Sequence, residues 1–119
     1  MALSRCPVLA FPPALGALLI AVGLAGTLAN AQSFDCRKAR HADEKTICRD
    51  PTLGQLDQEL ASVYRRLLLT LLRQESEALD KSEDEFLIVR RRCGDHRACI
   101  EQSYRNRIRE LKAALPKSD

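Results

Sequence analysis

Histidines, carboxylates and cysteines are the residues of this 119-residue chain that could do chemistry. A hydrolase needs a nucleophile or a poised acid, a group that orients it and donors for a developing negative charge. His41 and His96 each lie near an aspartate, but no Gly-x-Ser-x-Gly element or glycine-rich loop accompanies them. A paired-carboxylate site is the alternative, yet carboxylates on helices without a cleft-forming sheet are more typical of surface charge. We therefore interpret both histidines as solvated and predict that the chain is not an enzyme.

Cysteines and a histidine alternate in Cys93-x-x-His96-x-x-Cys99, which resembles part of a metal site. The spacing is not one of the usual zinc patterns, and thiols in an oxidising compartment are normally consumed by disulfide formation. The Cys-x-x-Cys-His signature of covalent haem is also absent from the sequence. We predict no metal and no cofactor.

Charge is segregated along the second half of the chain. Residues 75–85 carry six acids and one lysine, whereas residues 90–112 carry eight basic side chains and three acids. One interpretation is that the two segments partly neutralise each other and keep the surface soluble. The other is that arginines form a surface for an anionic partner, because planar guanidinium groups match carboxylates and phosphates in pairs. The candidate partner-binding residues are Arg90, Arg91, Arg92 and Arg97.

A long amphipathic helix is the element that must position these side chains. Asp50 suits the N-cap and Pro51 the first helical position, and apolar residues then recur at steps of three and four as far as Leu71. The pattern predicts a helix of about 20 residues or more, within residues 50–74. A short helix over residues 43–48 should precede it, with Ile47 as its core contact.

Two further helices are predicted after the acidic segment, which we expect to be a connection. Ser82 and Glu85 fit a capping box, so a helix should start there and run over residues 83–92. Gly94 can take a left-handed C-terminal position and Asp95 a new N-cap, after which a last helix should cover residues 96–115. The fold class is all-α, a small disulfide-stapled bundle. The predicted core is Leu56, Leu60, Val63, Leu67, Phe86, Val89, Tyr104, Ile108 and Leu111.

The first 31 residues have the features of a secretory signal peptide. Arg5 is followed by an uncharged run that ends in Ala29-Asn30-Ala31, which predicts cleavage before Gln32. An uncleaved anchor is the alternative because the run is long enough to span a bilayer. A lipid-anchored form is less favoured, since Asp35 precedes Cys36 and Cys6 lies close to the terminus. Residues 32–119 then form the domain, periplasmic or secreted, without a stable membrane span.

The cysteines that remain are Cys36, Cys48, Cys93 and Cys99, an even number in an exported domain. This number predicts two disulfides, which small secreted domains use to supplement a small core. Four cysteines allow three connectivities. We predict Cys36–Cys48 and Cys93–Cys99 because each pair brackets a turn beside a helix end.

The domain resembles the N-terminal domain of the LprI-type lysozyme inhibitors, an exported bacterial family. The residues that carry this resemblance are Phe34-Asp35-Cys36, Glu44-Lys45-Thr46-Ile47-Cys48-Arg49-Asp50-Pro51, Leu53, Leu56-Asp57, Leu60, Tyr64, Phe86-Leu87-x-x-Arg90-x-x-Cys93-Gly94-Asp95, Cys99-Ile100 and Tyr104-x-x-Arg107-Ile108-x-x-Leu111. The chain departs from the family at His41-Ala42, where Thr-Pro is frequent, and at Phe86, where Trp is frequent.

The resemblance implies an all-helical domain and, for at least some members, inhibition of lysozyme; it implies no catalytic residue. The leading hypothesis is a binding protein that covers or enters the substrate cleft of a lysozyme. The alternative is a non-inhibitory envelope protein that binds an anionic cell-wall or lipid component. Residues 75–85 provide an alternative contact surface. Export makes nucleic acid an unsuitable partner. Removal of residues 1–31, which contain Arg5, leaves 18 basic and 16 acidic side chains and a net charge near +2.

Overall fold

Helices account for nearly all of the regular structure in residues 33–117, the part of the chain that a computed structural model describes. A short 3-10 turn, Cys36–Lys38, comes first. The helices that follow are α1 (Ala42–Arg49), α2 (Pro51–Leu68), α3 (Arg73–Arg91) and α4 (Arg97–Ala114). The predicted all-α class is confirmed. The predicted signal segment, residues 1–31, lies outside the described residues.

The long helix α2 begins where the sequence predicts. The Asp50 carboxylate accepts hydrogen bonds from the amides of Thr52 (2.9 Å) and Leu53 (3.0 Å), and Pro51 is the first helical residue. The helix has 18 residues and ends at Leu68, so the prediction of 20 or more is wrong. The amide and the hydroxyl of Thr70 both donate to the Leu67 carbonyl, at 2.9 and 2.8 Å, and close the helix with a turn.

The acidic segment is helical, so its prediction as a connection is wrong. The segment belongs to α3, which begins at Arg73. The Glu75 side chain accepts a hydrogen bond of 2.9 Å from the Leu72 amide and thereby caps the start of this helix. Ser82 is not a cap: its hydroxyl donates to the Leu79 carbonyl at 2.8 Å in mid-helix. Leu79 and Phe86 are both buried two helical turns apart and hold the acidic segment against the core.

The shorter features differ from prediction by one or two residues. Helix α1 covers Ala42–Arg49, and its Ile47 is fully buried. Gly94 has φ of 58°, the left-handed conformation that was predicted. The N-cap of α4 is His96 rather than Asp95, because the His96 ring accepts a hydrogen bond of 3.2 Å from the Cys99 amide.

Helices α2 and α4 run in the same direction and form the centre of the bundle. Two side-chain contacts between them, Arg97 with Asp50 and Tyr104 with Asp57, join residues separated by the same 47 positions. Helix α3 runs in the opposite direction along α4, and α1 packs on α2 and α3.

The predicted cysteine pairs are both bonded. The Cα atoms of Cys36 and Cys48 are 5.8 Å apart and those of Cys93 and Cys99 are 5.6 Å apart. The predicted pairing is confirmed.

The core agrees with prediction at all positions except Val89, which is 52% exposed. Val89 lies next to Arg90 in α3, and it is Arg90 that faces inward. The buried apolar residues are Ile47, Leu53, Leu56, Leu60, Val63, Leu67, Leu79, Phe86, Ile100, Tyr104, Ile108 and Leu111. Among residues 33–117, no helix is both long and apolar enough to cross a bilayer.

Candidate interaction surface

Arg90 lies in the core, not on the surface. Its Nε donates to Asp43 Oδ2 at 2.8 Å, and a second guanidinium nitrogen donates to the Tyr104 hydroxyl at 2.8 Å. The Tyr104 hydroxyl in turn donates to Asp57 at 2.9 Å, and burial raises the pKa of this phenol so that it stays a donor. The chain of contacts joins all four helices. Arg90 is thus a structural residue, and its guanidinium is not presented to a partner.

Aromatic rings hold the Arg90 guanidinium from two sides. Its central carbon lies 6.0 Å from the ring centroid of Phe86 and 5.6 Å from that of Tyr104. The two rings are 5.6 Å apart and inclined at 59°. Such cation–π contacts are favourable where water is excluded. The C-terminal end of α3 is therefore fixed to the rest of the bundle through one side chain.

Arg97 is half exposed and already has two carboxylate partners. It pairs with Asp50 at 2.6 Å and with Glu101 at 2.6 Å. The hydrogen bond to Asp50, followed by the one to Glu101, raises the pKa of Arg97. Contact with an external carboxylate would require Arg97 to share or leave these partners.

Arg91 and Arg92 differ from the other two candidates. Both are exposed, and within residues 33–117 neither forms an ion pair or a side-chain hydrogen bond. They directly follow the buried Arg90 and precede Cys93, whose disulfide to Cys99 closes the loop after α3. Two free guanidinium groups are thus held on a backbone that is fixed on both sides.

The two arginines border different hollows. A groove of about 670 Å³ between α3 and α4 is lined by Arg92, with Phe86, Val89 and the Cys93–Cys99 disulfide among its apolar walls. A cavity of about 370 Å³ on the other side of α3 is lined by Arg91 together with Tyr64 and Glu83. Burial raises the pKa of Glu83, although its ion pair with Arg107 acts in the opposite direction. Arg91 and Arg92 thus line separate hollows on the two sides of α3, and both hollows are predominantly apolar.

The acidic segment, the alternative contact surface, has most of its carboxylates engaged within the domain. Glu75 caps α3, Glu77 pairs with Arg73 at 3.2 Å and Glu83 pairs with Arg107 at 3.1 Å. Asp80 accepts a hydrogen bond from the Tyr64 hydroxyl. Asp84 and Glu85 are exposed. This surface thus offers fewer free charges than its sequence indicates.

The two histidines and the Cys93-x-x-His96-x-x-Cys99 motif were the candidates for catalysis or metal binding. His41 and His96 are both exposed at the starts of helices, and the Cys93 and Cys99 thiols are joined in a disulfide. The described residues contain no group of three or more His, Cys, Asp or Glu side chains that could hold a metal ion.

Sequence reasoning missed the buried polar residues Asp43, Asp57 and Arg107. A signal for them exists in the helical spacing. Asp43 precedes the buried Ile47 by four positions, Asp57 follows Leu53 by four, and Arg90 itself follows Phe86 by four. A charged residue on an apolar stripe predicts a paired charge in the core.

Known proteins are similar to this chain in sequence. The chain is 28% identical over 115 residues to proteins named Lipoprotein LprI from Mycobacterium bovis and Mycobacterium tuberculosis. The chain is LprI-like. The alignment covers 86% of the chain but 57% of the length of these LprI relatives. No family model and no solved structure matches the LprI-like chain.

The family resemblance includes the residues on either side of the pair Arg91 and Arg92. The residues quoted above for the family resemblance include Arg90 and Cys93, which fix the positions of Arg91 and Arg92 from either side. Arg91 and Arg92 themselves are not among the residues that carry the resemblance. The residues that carry the resemblance thus include the two neighbours that support Arg91 and Arg92.

Proposed function

We propose that the protein is an exported binding protein that inhibits a lysozyme by presenting Arg91 and Arg92 to its substrate cleft. The observation that carries the proposal is the presence of two adjacent, exposed guanidinium groups without a carboxylate partner among residues 33–117. The resemblance to the LprI-type inhibitors and the similarity to proteins named Lipoprotein LprI support it.

The chemistry of a glycosidase cleft suits such a pair. These enzymes hold two carboxyl groups on either side of the scissile bond, about 5 to 9.5 Å apart. A guanidinium group can bind a carboxylate through two parallel, charge-assisted hydrogen bonds, and these strengthen when water is excluded. Arg92, which lines the apolar groove of this protein, could enter the lysozyme cleft while Arg91 contacts the rim of that cleft.

A rigid support favours tight binding. Arg90 is held by Asp43 and Tyr104, and the Cys93–Cys99 disulfide constrains the loop that follows. Residues that are already ordered lose less conformational entropy on association, so more of the contact energy appears as affinity. Arg97, which is paired with Asp50 and Glu101, would contribute only at the rim of the contact.

Export is part of the same proposal. Residues 1–31 form a signal segment that we propose is removed, and the two disulfides are typical of an oxidising compartment. The relatives are named lipoproteins. Cys36, the first cysteine after the proposed cleavage site, is bonded to Cys48, so its sulfur is not available for a lipid. We propose a periplasmic or secreted protein.

Titration of lysozymes from several classes with the oxidised protein, using cell walls as substrate, tests the proposal. We expect loss of lysozyme activity with wild type and at least about a tenfold weaker effect with R91Q/R92Q, because desolvated charge pairs dominate such contacts. R65Q/R66Q is the matched control, since it removes the same charge from two exposed arginines of α2. Unchanged lysozyme activity in molar excess of wild type would show that the inhibitor proposal is wrong.

Two other outcomes have defined meanings. If wild type leaves every lysozyme active but binds isolated cell walls through Arg91 and Arg92, the protein is an envelope protein that recognises an anion. If E77Q/D84N/E85Q slows association with lysozyme while R91Q/R92Q has no effect, the acidic segment is the contact surface.

A further inference from the structure

The turn between α2 and α3 exposes leucine at the end of the bundle away from Arg91 and Arg92. Leu69 is 88% exposed and Leu72 is 76% exposed, whereas Leu68 and Leu71 pack partly against the core. Helix α3, which separates the two ends, has 19 residues and is therefore about 28 Å long. The leucine turn, residues 69–72, is thus a separate feature from the proposed lysozyme contact.

The leucines are held outward by an ordered turn. The Leu69 amide donates to the Arg65 carbonyl at 3.4 Å, and the Thr70 amide donates to the Leu67 carbonyl at 2.9 Å. The Leu72 amide donates to Glu75 at 2.9 Å. These three amides are satisfied within the chain, so an apolar medium around the turn would not leave them without a partner.

Basic side chains surround the leucine turn. Arg65 and Arg66 are exposed in the last turn of α2, and the Arg73 side chain is 94% exposed at the start of α3. The 47-residue offset between α2 and α4 brings the end of α4 level with that of α2, so the exposed Lys117 belongs to the same end. Against these four cations stand Glu75 and Glu77, which are used in a helix cap and in the ion pair with Arg73.

We propose that the leucine turn inserts into the surface of an anionic lipid bilayer. Arg65 precedes Leu69 by four positions, so its backbone lies about 6 Å further from the tip along the helix axis. This offset matches the roughly 5 to 10 Å by which interfacial segments enter the boundary between headgroups and acyl chains. Leu69 and Leu72 would reach the acyl region while the guanidinium groups stay among the lipid phosphates.

The complementarity of charge favours a bilayer over a second copy of this chain. Two such turns placed tip to tip would bring two sets of cations together, which is unfavourable. An anionic bilayer instead offers phosphates to the cations and an apolar interior to the leucines, and it has no fixed shape that a protruding tip must match. The proposal does not depend on lysozyme inhibition.

A tryptophan reporter gives a direct test, because the natural chain has no tryptophan. L69W would be mixed with vesicles of phosphatidylglycerol and phosphatidylcholine, with pure phosphatidylcholine vesicles for comparison. We expect a blue shift of the L69W emission with the anionic vesicles, reduced at high salt. I88W is the matched control, since Ile88 is exposed in α3 (51%) but away from the turn; its emission should not change.

Cosedimentation of the natural chain and its variants with the same vesicles measures how strongly each protein binds the bilayer. L69S/L72S and R65Q/R66Q should each bind at least about tenfold more weakly than wild type, because each removes one of the two attractions. R91Q/R92Q should bind as wild type does. All variants should have the same N-terminus, which a measurement of the intact mass checks. Differences in vesicle binding can then be attributed to the leucine turn.

Three outcomes would overturn the proposal. One is an L69W emission that does not shift with anionic vesicles. Another is equal vesicle binding by wild type and L69S/L72S. The third is a blue shift of L69W that rises with protein concentration in the absence of vesicles, which would assign the turn to self-association. Lysozyme inhibition by L69S/L72S should equal that of wild type in every case, so failure of one proposal is distinguishable from failure of the other.

Discussion

Asp43 and Arg90 form an ion pair of 2.8 Å inside the core, with side chains that are 1% and 6% exposed. The pair joins α1 to α3 across 47 positions of sequence. Asp43 Oδ1 is buried and has no hydrogen-bond partner among the described residues. Arg90 is thus the principal compensation for a carboxylate that has been removed from water.

Replacement of Arg90 by methionine should be strongly destabilising. Removal of one partner of a buried ion pair leaves the other charge uncompensated and typically costs about 3–5 kcal/mol. Urea denaturation near pH 7 measures the change in the free energy of unfolding. R91M is the matched control and should lie within about 0.5 kcal/mol of wild type, because Arg91 is exposed. D43L/R90M should be more stable than R90M; equal stability would show that Asp43 is not the residue left unpaired.

Replacement of Leu60 by alanine should remove about 2–5 kcal/mol from the free energy of unfolding. Leu60 is 4% exposed in α2 and belongs to the core between α2 and α4. V89A is a suitable comparison because Val89 is 52% exposed and should change the stability little. Thermal denaturation followed by circular dichroism measures both. Similar melting temperatures for L60A and V89A would contradict the burial of Leu60.

The stability of the domain should depend on the charge of Asp50. The amide of Leu53, and then the Arg97 guanidinium, lower the pKa of Asp50 below its ordinary value of 3.8. A carboxyl group whose pKa is lower in the folded state stabilises the fold above its unfolded pKa, and this contribution is lost as the pH falls through the folded pKa.

Asp50→Asn keeps an N-cap side chain and removes the charge, so it isolates this contribution. We expect D50N to be less stable than wild type by roughly 0.5–1 kcal/mol near pH 7, since the ion pair with Arg97 is partly screened by solvent. The difference should shrink as the pH falls below 3.8 and through the folded-state pKa of Asp50. Guanidinium chloride would screen the ion pair, so urea denaturation is the suitable measurement. A difference that stays constant with pH would show that geometry rather than charge is responsible.

Removal of the Cys93–Cys99 disulfide should affect the arginine surface more than removal of the other disulfide. Each short loop contributes about 2–3 kcal/mol on the loop-entropy model, so C93S/C99S and C36S/C48S should lose comparable stability. Arg92 directly precedes Cys93, whereas Cys36 and Cys48 join the N-terminal turn to α1. We therefore expect weaker lysozyme inhibition by C93S/C99S at temperatures where both variants are folded. Equal inhibition by the two would contradict a role of the loop in presenting Arg92.

Local rules were sufficient for several features of the fold. Asp50 and Pro51 mark the start of α2 through cap chemistry that depends only on neighbouring residues. Gly94 marks the end of the third helix in the same way. The disulfide pairing also followed, because a helix break between Cys93 and Cys99 leaves the two close together.

The boundary between α2 and α3 required information that the local sequence lacks. Ser82 and Glu85 satisfy the capping-box pattern, but Leu79 is buried against the core, and its burial favours continuation of the helix through Ser82. The candidate binding surface was likewise only partly predictable. Four arginines look alike in sequence, and only tertiary contacts distinguish the buried Arg90 and the paired Arg97 from the free Arg91 and Arg92.

The parallel arrangement of α2 and α4 determines when the chain can fold. Their contacts join residues 47 apart, so a long loop must close before α2 finds its partner, and such closure slows folding. Until α4 is synthesised, α2 lacks the helix with which it makes its most extensive contact. The nascent chain should therefore complete its core only after its last helix has been synthesised.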